Sequence, residues 1–368
     1  MASFPWTPAG AGSPGHSFED TPLSRQADLD RLLDQGDLDG LLRLVDDLCG
    51  EGDWNLLEVL ATRGRLAVER GHQLWPAADH AEHRLALEAP GPFAAGAVVR
   101  DATRFGPAPL AEVAASAHPW KELAPHLPTG PLRATVAHER VARGEDLTGG
   151  DDPGRSDPLG LPLRLSSWEP TYLIPEIGPY GLEDPVPPTG PLEVVDIPRP
   201  GEAVGGVATA GSGALRDLAR TWAEESNGHS MSVAVQGGAD TAIATLLADP
   251  TIRRVHWRRL EAGEAIGLMA WAGASGGAHG RRRGAARGRF EAWWCVASLA
   301  GLLEDPDDPW PPDPVQVGDA TAEMNWWRWD VDGARTGWHL NLAVEDPDDG
   351  LAWALAAGDR YSVSAPEQ

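Results

Sequence analysis

The stretch Trp326-Trp-Arg-Trp-Asp-Val-Asp-Gly-Ala-Arg-Thr-Gly-Trp-His-Leu-Asn-Leu-Ala-Val344 decides the fold class. Trp327, Trp329 and Val331 recur at every second position, and so do Trp338, Leu340, Leu342 and Val344. A period of two marks an extended chain with one buried face. The Asp332-Gly333 step between the runs suits a hairpin turn, because both residue types tolerate positive φ. Upstream, Met231–Gln236 reads as another short strand, and Gly237-Gly238 turns the chain into a helix over Asp240–Leu247. Ala214–Glu225 reads as helix, more helix is expected to about Leu303 with a break at Gly273–Gly284, and Leu351–Ala357 reads as a closing helix. Residues 214–368 are therefore expected to form an α+β domain, a small sheet covered by helices.

The N-terminal half has a different period. Leu29, Leu32 and Leu33 share one helical face. Gly36-Asp37 returns sixteen residues later as Gly52-Asp53. In each pair the glycine ends one helix and the aspartate caps the next. Further helices are expected near Gln73–Leu87, Phe93–Arg104, Leu110–Ala117 and Pro131–Val141, punctuated by prolines. Residues 23–143 thus read as an all-α domain of helix hairpins, repeat-like in layout but without tetratricopeptide or HEAT motifs. Residues 1–22 are rich in Gly and Pro and lack the basic and apolar regions of a signal peptide, so disorder is expected there. Residues 144–213 read as an irregular connector, since 151–200 alone holds twelve prolines; extended pieces are expected at Leu161–Leu165 and Leu192–Ile197.

The chain has 368 residues, 16 Trp and a net charge of −25. Such acidity opposes general binding to nucleic acid or anionic membrane, and the longest apolar run, Ala292–Leu303, is too short to span a bilayer. Cys49 and Cys295 read as reduced, packed thiols and the protein as cytoplasmic. Against this background, residues 251–300 hold nine Arg and three acids, a net +6, leaving −31 for the remainder. Such a basic island either pairs with the chain's own carboxylates or faces an anion.

The centre of that island is Gly273-Ala-Ser-Gly-Gly-Ala-His-Gly-Arg-Arg-Arg-Gly284. Gly276 and Gly277 free backbone N–H groups, and Arg281, Arg282 and Arg283 offer forks for phosphate or carboxylate oxygens. Trp326 becomes an anchor for ligand or partner if it is exposed beside the loop. Gly273-Ala-Ser275-Gly-Gly277 also fits G-x-S-x-G, with Asp330 and His339 following as acid and base; His279 is a second proton-transfer candidate. The hydrolase pattern arises easily by chance in a chain with 43 Gly, and too few strands precede it.

Other strings have plainer readings. Arg253-Arg-Val-His-Trp-Arg-Arg259 mixes stacking and phosphate-binding types, but an amphipathic surface helix gives the same string. His80 and His83 on one helix lack a third metal ligand, and Glu-Asp-Pro-Asp-Asp at 304–308 and 345–349 reads as turn chemistry. No metal is expected. No G-x-x-x-x-G-K-[ST] is present, and no cofactor is expected either.

The run Ala265 to Trp294, with Arg335-Thr-Gly-Trp-His-Leu340, Val344-Glu-Asp-Pro-Asp-Asp-Gly-Leu-Ala-Trp-Ala354 and Asp20-Thr-Pro-Leu-Ser-Arg-Gln-Ala-Asp-Leu-Asp30, resembles an uncharacterised actinobacterial protein family. The resemblance spans most of the chain. It implies that the halves belong together and that the host is a GC-rich bacterium, as does one Lys against 29 Arg; it carries no activity. The expected function is a cytoplasmic binding or interaction protein that takes an anionic small molecule or a protein partner at the Gly/Arg loop. The alternative is an enzyme acting there on a phosphorylated or carboxylated substrate.

Overall fold

The computed structural model describes residues 22–101, 106–149, 157–199, 207, 209–305, 307–331 and 337–359. The readings of the N-terminal tail and of the Asp332-Gly333 turn fall outside these residues, Pro22 apart. The chain is α+β. Its first part is helical: α1 (Pro22–Gln35), α2 (Leu38–Glu51), α3 (Trp54–Leu66), α4 (Trp75–Glu88), α5 (Gly91–Arg100), α6 (Leu110–Ala117), α7 (Trp120–Leu123) and α8 (Pro131–Ala142). The glycine–aspartate punctuation works as the sequence proposes. Asp37 accepts from Gly40 N–H and Asp53 from Leu56 N–H, while Gly52 takes φ +72° to end α2. Leu29, Leu33, Leu41, Leu48, Leu57 and Leu60 meet in one dry core.

The connector carries a small hairpin, β1 (Glu176–Gly178) and β2 (Gly181–Glu183), then β3 (Glu193–Asp196). The Leu192–Ile197 reading thus yields a strand. Leu161–Leu165 does not; it is tied to its neighbours by the bond from Leu147 N–H to Leu163 O and by Arg289, which donates to Pro162 O and Arg164 O.

The rest comprises α9 (Ala210–Asp217), α10 (Arg220–Glu224), β4 (His229–Gln236), α11 (Ala239–Leu247), β5 (Arg254–Leu260), α12 (Ala262–Ala274), α13 (Ala285–Leu299), α14 (Pro314–Glu323), β6 (Asn325–Asp330), β7 (Trp338–Asp346) and β8 (Leu351–Asp359). Six strands form an antiparallel sheet in the order β3-β5-β6-β7-β8-β4. One face, with Trp326, Leu340, Leu342, Val344, Trp353 and Leu355, packs on α9, α10 and α12, with α13 behind them. The other, with Val235, Ala343, Ala352 and Ala354, packs under α11.

Three local expectations are corrected. Leu351–Ala357 is not a helix but a central strand: its Ala and Leu favour helix in isolation, yet β7 and β4 pair along its whole length and both faces are covered. Arg253–Arg259 is not a surface helix but most of β5, paired with β3 and β6. Ala214–Glu225 is two helices, with a break at Leu218-Ala219.

Helices α12 and α13 cross closely at Gly288, where a Cβ would lie 2.1 Å from Ala270 O and 2.7 Å from Ala274 Cβ. The obstacle is backbone, so it cannot swing aside. Gly288→Ala is expected to lower unfolding stability by about 3 kcal/mol, read as a lower urea midpoint at unchanged slope.

Candidate functional site

The chain break between α12 and α13 is made by glycine geometry. A Cβ on Gly276 would lie 2.3 Å from Gly280 O, and Gly277 takes φ +73° against the Asp359 carboxylate. Ala278 N–H donates to Asp359 Oδ2 at 2.5 Å, tying the loop to the end of β8. The loop is thus folded onto its own protein.

Ser275 is fully buried at the end of α12; its Oγ accepts from the Trp222 indole at 2.8 Å and donates to Ala272 O at 3.3 Å. Asp330 and His339 do approach each other, at 3.9 Å, but the bonds of Ser275 go to Trp222 and Ala272, so the nucleophile reading is corrected. His279 is exposed, and its backbone N–H bonds Ser226 Oγ.

The arginines are spent internally. Arg282, 5% exposed, forks onto Glu112 (2.8 and 2.9 Å) and reaches Asp184 at 2.6 Å. Arg283 bonds Glu291 at 2.8 Å, as does Arg287. Arg289, fully buried, pairs with Glu169 and donates to Pro162 O and Arg164 O. Arg281 is exposed and also has a partner. Trp326 is 1% exposed and donates to Thr321 O in the core, so it presents no anchor. The anion site expected at Gly276, Gly277 and Arg281–Arg283 is thereby overturned: carboxylates of the acidic body hold Arg282 and Arg283, the two inner guanidinium groups of the triplet.

These contacts build a junction between the helical half and the sheet. The first amides of α13 are capped from outside, Ala285 N–H by Glu112 of α6 and Ala286 N–H by Glu139 of α8. Negative groups are favoured at a helix start. Arg143 bonds Glu139 at 2.7 Å and lies 3.8 Å from Glu112. Burial, and then the neighbouring Glu112 charge, push the Glu139 carboxyl up to about 7. Burial likewise raises Asp184, although Arg282 counters it.

A cavity of about 330 Å³ lies over the sheet beyond the end of α11, between Trp329, Trp338, Asn341, Met231, His229 and Asp359. Trp329 and Asp359 are each 2% exposed. The Trp329 indole N–H and the second carboxylate oxygen of Asp359, Oδ1, have no hydrogen-bond partner. Asn341 is 7% exposed and His229 stands at the surface. The Asp359 carboxylate and the Trp338 ring turn to the opposite face of the sheet, onto Ala278 and Trp271, so Trp329 and Asn341 supply polar groups on this side, beside the apolar Val331 and Met231. A few polar groups on an apolar wall are the usual elements of a small-molecule site.

A family of unknown function, DUF6183, matches residues 39–361. The chain belongs to that family. The match takes in both the helical half and the sheet. No curated protein and no solved structure matches the chain.

Sequence reading singled out Trp329 and His339 but gave Trp329 no site role and passed over Asp359. The signal for Asp359 was its place at the end of Leu351-Ala-Trp-Ala-Leu-Ala-Ala-Gly-Asp359, a carboxylate closing an apolar run. Reading that run as helix hid which face it joins. Glu112 and Glu139 were missed too: both are acids on the buried faces of their helices, the pattern of a buried partner for a distant arginine. The acidic string at 345–349 is turn chemistry, Asp346 accepting from Asp348 and Asp349 N–H between β7 and β8. Among the described residues no three His, Cys, Asp or Glu side chains are placed to hold a metal, and no helix is long and apolar enough to cross a membrane. Both cysteines are buried and unpaired with one another; burial pushes the Cys49 thiol up to about 11 and Cys295 higher still.

Proposed function

We propose that the chain is a binding protein for a small polar molecule, seated in the sheet cavity lined by Trp329, Asn341 and Met231. One observation carries this reading: Trp329 lines this cavity, and its buried indole N–H is not hydrogen-bonded within the protein. An unmade hydrogen bond at a buried group costs about 1–3 kcal/mol, more at a charge. A ligand that accepts from Trp329 removes that penalty. Its apolar part rests on Val331 and Met231, and its exit passes the exposed His229.

The expectation of a binding protein is thus kept and its site moved to the sheet. Chemistry on a phosphorylated or carboxylated substrate at the arginine loop loses its support, since Arg282 and Arg283 are already paired and Ser275 is enclosed. An actinobacterial, cytoplasmic setting belongs to the same proposal; the 29 Arg against one Lys and the two free, buried thiols support it.

The test is thermal unfolding of the full chain against a panel of hydroxylated compounds, amines and amino acids, followed by calorimetry on any hit. A ligand at 100 times its Kd is expected to stabilise by about 2.7 kcal/mol. Trp329→Phe and Asn341→Ala are each expected to weaken binding tenfold or more. Unchanged affinity in both variants, or no shift across the whole panel, overturns the reading.

A further inference from the structure

A second pocket, of about 180 Å³, opens where the β1–β2 hairpin lies on α4, between Trp75, Pro76, Asp79, His83, Pro107 and Tyr180. Two of its buried side chains carry acceptors without a donor. Asp79 is 7% exposed, yet neither of its carboxylate oxygens accepts a hydrogen bond. The nearest cation is Arg65, whose Nη2 lies 3.1 Å from Asp79 Oδ1 but bonds Glu82 Oε2 at 2.5 Å. One guanidinium group thus serves two buried carboxylates. His83 is 3% exposed, with Nε2 2.7 Å from Gly178 O. A carbonyl only accepts, so Nε2 carries the proton. Burial holds the His83 ring neutral, which leaves Nδ1 a buried acceptor with no donor.

Arg84 is also close, with its guanidinium 5.7 Å from the Tyr180 ring centroid, but it is committed to Glu88 and Asp46 by bonds of 2.6 to 3.0 Å, which offset its charge. The rim is aromatic: Tyr180 stacks on His80 with centroids 5.6 Å apart, and Trp75 is 37% exposed opposite. A buried carboxylate, a second acceptor without a donor, and an exposed indole form a cradle for a cation that carries N–H groups.

We propose that this pocket binds the head of an organic cation, a primary ammonium or guanidinium group, with Asp79 and His83 accepting its N–H bonds and Trp75 covering its face. The volume admits such a head and a short chain. The requirement for N–H donors separates this site from a general aromatic cage, which takes quaternary ammonium as readily. The inference is independent of the sheet cavity.

Titration calorimetry of the full chain with methylguanidinium, butylammonium and tetramethylammonium tests it. The first two are expected to bind at least tenfold more tightly than the third. Asp79→Asn is expected to lose tenfold or more in affinity for both, whereas Asn341→Ala leaves them unchanged. Should Asp79→Asn fail to fold, Tyr180→Ala, at a 77% exposed position, is expected to weaken binding severalfold with the fold intact. Equal binding of tetramethylammonium, no heat from any of the three, or unchanged affinity in the soluble variant overturns the proposal.

Discussion

Arg289→Ala is expected to lose about 3–5 kcal/mol of stability, a large part of what a domain has, because the change strands a buried carboxylate. Arg289 and Glu169 both have side chains at 0% exposure and meet through two bonds, Nε to Oε2 at 2.7 Å and Nη2 to Oε1 at 2.8 Å. Burial pushes the Glu169 carboxyl up, but Arg289 outweighs it and holds the group below the usual glutamate range. Without the arginine only neutral donors remain, the Ser166 N–H and the Tyr172 hydroxyl at 2.8 and 2.5 Å. The carbonyls of Pro162 and Arg164 lose their donors as well. Arg289→Met with Glu169→Leu is expected to regain much of the loss, since apolar replacement of a whole buried pair is far milder than removal of one partner. Urea unfolding of the two single variants and the double variant measures the coupling. A single-variant loss below about 1 kcal/mol, the range of exposed pairs, contradicts the burial described here.

Stability is expected to fall with rising pH through the window set by Glu139. Its unfolded value is near 4.5 and its folded value about 7, so the native state holds the extra proton between them. The contribution is fully present below pH 4.5 and is lost as pH rises to about 7, amounting to roughly 2–4 kcal/mol. Asp184 and Glu82, also raised, act in the same direction. His80 and His83, lowered by burial, act against it, because the unfolded chain takes up protons there below pH 6.5. A difference experiment isolates the glutamate. Glu139→Gln is expected to match the parent near pH 5 and to exceed it by roughly 2–4 kcal/mol at pH 8, the glutamine oxygen still accepting from Ala286 N–H. Parallel stability curves for the two proteins across that range contradict the assignment.

The helical half was legible because its signals are local. Asp37 and Asp53 cap the helices they precede, and the Leu-rich faces point where their period puts them. The paired strands at 326–344 were legible for the same reason, a period of two carried by Trp and Leu. The failure at 351–357 has a structural cause: Leu351–Ala357 lies in a strand covered on both faces, so it shows no alternation and its alanines point to helix. The site failed for a different reason. Nothing local in Arg281-Arg-Arg283 tells a solvent-facing guanidinium group from one closed over by Glu112, 170 positions earlier. Charge balance carried the right hint: a net +6 within a −25 chain has abundant internal partners.

The junction at the start of α13 also constrains how such a protein can diversify. Glu112 and Glu139 arrive from the helical half; Arg282 and the amides of Ala285 and Ala286 arrive from the other. A chimera that takes residues 22–142 from one relative and the remainder from another survives only where both parents carry matching charges at these positions. Each half is therefore a template against which substitutions in the other are tolerated or purged.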